Sequence, residues 1–538
     1  MCIIRGKKCC VLEQGEQIGG GAHVFSLKGF EFETGIHYLG NDIDMENMLD
    51  FATCGKLKME RIGTTRKNGD IVHDEVFIGD NKYDFMSGVD KFRGMMMQKF
   101  PNKDDIKVID CFFTRVQTLM TPTYKQHAAW FFRLKAATFI PAWLRAFLQR
   151  ILGRQFWQMT QVTAEQFVKD CGADPTTELG SVLLGQYADA GVRPDKLAAA
   201  LYAGVFTHYI NGAKYPEGGS GALPRRMNTV VRATGGCTFV QARVNSLLMN
   251  KQNKCEGVMV NNSIPVYADT IVSGIGAIQS FKLLSPHYPK ECSAAIARLE
   301  RNHEYSCAFI FLFIALDISS QPEEEIDDSS HNRWIYPQKD FVNMEKKYDD
   351  AEAWSVPMPM FVASGSSKDS TWGKRFGKNK KTIVVLSQCP WNWVKEWSTL
   401  SVSERANSPG YQAFKQKTTD ALMEQGFRRI YSHLEKYVVF NEVGTPLTTN
   451  NFLATSQGEC YGIAATPSHF MDEDLTPYTP CSNYYMTHNY EDCSPIVDAG
   501  SISAGYLTAN VVEGYGEFIN ALAGRELSTD LGMKPVYG

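Results

Sequence analysis

Glu13 ends a short apolar run at residues 9–12 (CCVL). A carboxylate at the end of such a strand can accept hydrogen bonds from the hydroxyls of a ribose. Gly19, Gly20 and Gly21 follow it, and glycines let backbone approach a phosphate closely. The glycine-rich turn that accompanies such an acid usually lies ~20 residues before it. Only twelve residues precede Glu13, and no GxGxxG occurs near the start. On spacing alone, a surface residue after an edge strand describes Glu13 equally well. For proton transfer the candidates are His37, in TGIHY, and His208-Tyr209, in THYINGAKYP, since histidine titrates near neutrality. A hydrogen-bonded core role is the simpler reading of each. No Ser/His/Asp arrangement, HExxH or P-loop pattern is present, so hydrolysis and phosphoryl transfer have no support.

Such residues need a sheet to carry them, and the chain offers several. Residues 71–86 (IVHDEVFIGDNKYDFM) alternate apolar and polar side chains as a hairpin does. Residues 307–316 (CAFIFLFIAL) are too short to span a bilayer and read as a buried strand. Residues 382–387 add further sheet, and 237–276 read as a series of short strands. Residues 126–159 differ in character, with Trp, Phe and Leu interleaved with Arg133, Lys135, Arg145, Arg150 and Arg154 and no acid among them. A basic, aromatic helix pair of this kind suits a membrane interface; a core-facing pair with a solvated basic face is the alternative.

At 538 residues the chain exceeds what one core usually supports. Lys+Arg 55 against Asp+Glu 59 leaves a net charge of −4, with no basic excess for a nucleic-acid partner. Fourteen scattered cysteines make neither a disulfide scaffold nor a zinc array, so no metal site is expected. Residues 1–21 lack the pattern of a signal peptide, and 321–330 (QPEEEIDDSS) read as an acidic surface loop.

Several blocks together resemble the retinol saturases, the all-trans-retinol 13,14-reductases of the carotenoid desaturase and isomerase superfamily. They are VLEQGEQIGGGAHVF with GFEFETGIHYLG, KYPEGGSGALPRRMNTVVRATGG at 214–236, SSKDSTWGKRF at 366–376, WNWVKEW at 391–397 and GTPLTTNNFLATSQGECYG at 444–462. The resemblance implies an α/β fold: a Rossmann-like FAD-binding domain of glutathione-reductase type interleaved with a mixed-sheet substrate domain. The FAD-binding domain would comprise 1–60, 187–290 and 441–538, beginning inside a βαβ unit whose first strand and glycine turn are missing. Residues 61–186 and 291–440 would form the substrate domain, its sheet a wall over the flavin.

By the same resemblance Glu13 would bind ribose, Gly19, Gly20 and Gly21 would follow the cofactor, Gly35 would pass the flavin, Val244 would meet the adenine, and Gly274 would join them. FAD would be the cofactor, NAD or NADP a possible reductant, and a lipophilic polyene such as retinol the substrate. Hydride would leave flavin N5 for one carbon of the chain. A carotenoid isomerase or desaturase would use the same fold. In the family's last flavin motif, however, His488, Tyr490, Pro495 and Asp498 replace glycines and an aspartate. Side chains there would obstruct a helix N terminus beneath the cofactor, which suits a flavin-free, inactive relative that binds a lipophilic ligand. The resemblance implies the endoplasmic-reticulum membrane; a start at Met1 would imply a cytosolic or peripheral protein.

Overall fold

Aromatic and branched residues dominate 309–317, and all but the last are buried, as in a strand covered on both faces. In the computed structural model, which describes residues 7–319, 330–487 and 497–513, this strand lies inside the largest sheet, next to its edge strand. In chain order the first strands are β1 (Cys10–Leu12), β2 (Val24–Leu27), β3 (Phe30–Glu33), β4 (Leu39–Gly40), β5 (Met59–Ile62), β6 (Thr64–Thr65), β7 (Ile71–Ile78) and β8 (Asn81–Met86). Next come β9 (Ala213–Pro216), β10 (Cys237–Phe239), β11 (Val244–Met249), β12 (Cys255–Val260), β13 (Ile264–Tyr267) and β14 (Ile271–Ser273). The last are β15 (Phe309–Asp317), β16 (Asn332–Tyr336), β17 (Met360–Ala363), β18 (Lys380–Gln388), β19 (Val438–Gly444) and β20 (Tyr484–Met486).

The eight-stranded sheet runs β19-β15-β18-β17-β16-β7-β6, with β8 hairpinned onto β7. Its pairings are antiparallel except β16 with β7, which is parallel. Helices from both halves of the chain pack into the core that the sheet shares. Lys103–Leu119 shows why: Ile109, Phe112, Phe113 and Val116 recur on one helical face and are fully buried. Helix Ala199–Tyr209 is apolar almost all round and packs into the same core.

A second core forms around β11-β12-β13, the helices Ala277–Leu284 and Pro289–Asn302, and the parallel pair β14-β20. Leu12 of β1 packs against it, and β1 pairs in parallel with β10, Cys10 opposite Cys237. A third, small core joins helix Ile43–Thr53, helix Ala222–Ala233 and the final helix Val497–Glu513, where the Tyr506 hydroxyl donates to the Met48 carbonyl at 2.8 Å.

The basic aromatic stretch is three helices rather than a pair: Pro122–Ala136, Ala142–Leu152 and Arg154–Thr160. Pro141 cannot continue a helix from its predecessor, and Gly153 divides the second from the third. Among the described residues no helix is long and apolar enough to cross a membrane.

Candidate active site

The loop after β1 is shaped by its glycines. Gly19 and Gly20 adopt positive φ of 119° and 53°, and Gly20–Ala22 form one tight turn. Open space lies where side chains on Gly20 and Gly21 would project. Gly19 packs on Pro224, near the start of helix Ala222–Ala233. Between this loop, that helix and β10 lies a cleft of about 320 Å³, whose lining includes Gln17, His23, Arg225, Asn228 and Thr238. The helix N terminus carries partial positive charge, which favours an anion.

Glu13 stands beside the cleft loop, and its Oε1 accepts the Gly15 N–H at 2.6 Å. The backbone at Glu13 bonds to Phe239 and Ala242, which brings it to the threshold of β11, where Val244 sits opposite Val260. Gly35 meets the loop from below: a Cβ there would lie 2.6 Å from the Gly21 carbonyl oxygen. Gly274 follows β14, a Cβ on it falling 3.6 Å from the Thr487 hydroxyl. The structure thus gathers Glu13, Gly19, Gly20, Gly21 and Gly35, with Val244 adjoining, and sets Gly274 at the end of the β14-β20 pair. His488, Tyr490, Pro495 and the Asp498 side chain lie outside the described residues. An open glycine cradle, an acid at the strand end and a helix N terminus fit a dinucleotide cofactor.

Two residues past Gly35 a buried polar cluster begins. His37 Nδ1 lies 3.0 Å from Glu33 Oε1, and Tyr215 donates its hydroxyl to Glu33 Oε2 at 2.5 Å. Lys368 donates to the His37 carbonyl at 2.7 Å. Burial pushes the Glu33 carboxyl up, but the His37 hydrogen bond and the His37 and Lys368 charges outweigh it and hold it below its usual range. Burial brings the Lys368 ammonium down to about 8, against the pull of Glu33 and Asp74. His37 Nε2 is buried without a hydrogen-bond partner among the described residues. An unmet polar atom of this kind costs about 1–3 kcal/mol.

Beside these groups runs a row of rings. Tyr209 stacks on Tyr38 at 4.5 Å, Tyr38 lies 5.9 Å from Phe361, and Phe361 lies 4.5 Å from Trp334. Asp74 anchors the row, accepting from Tyr38 at 3.2 Å, Asn332 at 3.0 Å and Trp334 at 3.3 Å. Asp189, hydrogen-bonded to Tyr209, is pushed up to about 7 by burial and by the Asp74 charge.

His37 and Tyr209 therefore share the cluster, whereas His208, packed edge-on against Tyr209, directs its ring nitrogens to Gly40 and Asp42. His208 Nε2 accepts the Gly40 N–H at 2.7 Å, and its Nδ1 lies 3.6 Å from Asp42. With Nε2 occupied as an acceptor, His208 braces the backbone and is not placed as a proton donor. Sequence reasoning missed Glu33, Tyr215, Asp74 and Lys368. The available signal was a polar or charged residue inside otherwise strand-like or family-like blocks.

No family model matches the chain. Among solved structures, putrescine oxidase bound to putrescine matches 95% of this chain and 95% of its own, with a TM-score of 0.54 and 13% identity. An oxidoreductase from Methanosarcina mazei matches 94% and 95%, with a TM-score of 0.52 and 14% identity. The fold, helices mixed with sheets, is the α/β class expected from the sequence and is shared with these solved structures. Within that class the likeness is to retinol saturases. All-trans-retinol 13,14-reductase of Danio rerio is 28% identical across 90% of this chain and 78% of its own length, and that of Homo sapiens is 28% identical across 88% and 75%. A Danio rerio protein described as an inactive all-trans-retinol 13,14-reductase is 24% identical across 94% and 82%.

Proposed function

We propose that this protein is an FAD-dependent oxidoreductase that saturates one double bond of a retinoid-like polyene. The observation that carries the reading is the near full-length likeness to retinol 13,14-reductases; the cleft and the cluster supply its chemistry. Glu13 would hold a ribose, the Gly19–Gly21 backbone and the N terminus of helix Ala222–Ala233 the pyrophosphate, and Val244, Gly35 and Gly274 further parts of the cofactor. When bound, the flavin supplies two electrons as hydride. Tyr38, Tyr209, Phe361 and Trp334 form a buried aromatic wall beside which a conjugated chain would pack. Burial of this region keeps water from the reacting carbons.

A lipophilic substrate has to leave a bilayer, and helix Ala142–Leu152 is built to lie on one. Trp143, Phe147 and Ile151 recur every fourth residue and are 73%, 53% and 54% exposed. Phe139, just before the helix, is 76% exposed. Arg150 and Arg154 are exposed beside them, and the absence of acids across 126–159 selects an anionic lipid surface. On the opposite side Arg145 is buried, bonded to Glu473 and the Ile140 carbonyl. Retinol saturase likeness makes the endoplasmic-reticulum membrane the expected surface.

The experiment is purification followed by anaerobic turnover. The protein should be yellow, with near-stoichiometric flavin; reduced with dithionite and given all-trans-retinol, it should release a product two mass units heavier with one conjugated double bond fewer. Bleaching by NADH or NADPH would identify a nicotinamide as reductant. A product of unchanged mass would mark an isomerase, and a colourless, well-folded protein a flavin-free binder; either overturns the reading.

A further inference from the structure

Saturating a double bond takes a proton as well as a hydride, and the cluster beside Gly35 holds several groups that could give one. Most are committed. The Tyr38 hydroxyl donates to Asp74 and the Tyr215 hydroxyl to Glu33, while Tyr209 is bonded to Asp189. Lys368 donates to the His37 carbonyl. His73 is buried with neither ring nitrogen hydrogen-bonded, so nothing in this network orients it. His37 differs from all of these. One ring nitrogen is fixed by Glu33, which Tyr215 fixes in turn, and the backbone carbonyl is fixed by Lys368. The other nitrogen, Nε2, has no hydrogen-bond partner among the described residues. The ring lies 5.5 Å from Phe361, at the aromatic row, and two residues from Gly35, where the chain presses on the glycine loop. An imidazole held by a carboxylate at one nitrogen and buried without a partner at the other is the arrangement of an oriented acid–base group.

We propose that His37 Nε2 delivers the proton that completes double-bond reduction, with Glu33 as the positioning residue that fixes its ring. The proposal rests on the polyene-reductase reading. In balance, the carbon–carbon π bond breaks. One carbon gains a C–H bond from hydride supplied by the reduced flavin, which is oxidised by two electrons. Its neighbour gains a C–H bond from the His37 imidazolium, which becomes neutral and keeps Nδ1–H toward the Glu33 carboxylate. A solvent proton then restores it. Asp189, whose Oδ2 is also without a hydrogen-bond partner among the described residues, is the rival donor.

Two measurements on the holoenzyme test this. With the flavin oxidised, so that no turnover occurs, all-trans-retinol added to protein carrying 15N-labelled histidine should move the Nε2 signal that disappears in H37Q or H37N. In E33Q the Nδ1–H signature should be lost while flavin content stays unchanged. With the flavin reduced, H37Q should lose roughly 10²–10⁴-fold in the rate of retinol saturation, and the loss in D189N should be far smaller than that in H37Q. An Nε2 signal that retinol does not move overturns the proposal, even if the variants fail to fold. So does an H37Q rate near wild type, or the large loss falling on D189N instead. A yellow wild-type protein that never saturates retinol sinks the reductase reading itself and the proposal with it, which separates the two failures.

Discussion

At the scale of single residues, contact distances decide what each position tolerates. Gly35 has the Gly21 carbonyl oxygen 2.6 Å from where a Cβ would stand, and neither backbone can yield cheaply. Gly35→Ala should lower stability by about 1–3 kcal/mol and deplete bound flavin, read by urea denaturation and by absorbance. His208 satisfies a buried N–H at Gly40, so His208→Ala should cost about 1–3 kcal/mol and leave the flavin spectrum unaltered. Glu345 offers a pH test. Burial pushes its carboxyl up to about 7, against hydrogen bonds from Tyr187 and Gln388. The folded state then holds a proton that the unfolded chain releases near 4.5, so stability falls as pH rises from about 4.5 to 7. Urea midpoints at pH 5 and 7.5 should separate for wild type and converge for E345Q. His37, Glu13 and the glycines could be singled out as candidates because they sit in family-like strings. Lys368 was not, since nothing in the SSKDS string marks its lysine as buried and its partner, the His37 carbonyl, lies 331 residues away.

Elements were legible where their period is local. The alternation at 71–86 is the β7-β8 hairpin, and the apolar run at 307–316 is β15. Partner choice was not: β7 lies parallel to β16, with Asp74 opposite Asn332, and no local pattern encodes that pairing. The same holds for the role of helix Ala142–Leu152, whose composition favoured a membrane face but left a core face open. Its exposed Trp143 and Phe147 now give a test. W143A/F147A should reduce cosedimentation with phosphatidylserine-containing vesicles about tenfold or more, with the melting temperature unchanged. Raised salt should weaken the wild-type contact through Arg150 and Arg154. Binding that survives the double substitution would assign the contact to another surface.

Over the whole molecule, the cleft, the polar cluster and the aromatic row meet where the glycine loop, β3 and the large sheet converge. A cofactor that binds only the folded chain should stabilise it by mass action, about 4 kcal/mol at a thousandfold excess over Kd. Added FAD should accordingly raise the melting temperature of protein stripped of flavin, and a flat response would argue against a built site. The large sheet also sets a timetable. β7 ends at Ile78, yet its parallel partner begins at Asn332, and β15 is not covered on its other edge until Val438–Gly444 emerges. A ribosome therefore makes on the order of 250 further residues, roughly 10–50 s of elongation, before β7 can pair with β16. Throughout that interval the nascent chain carries an apolar, unpaired strand edge, which makes its first minute a demand on chaperones as much as on its own folding.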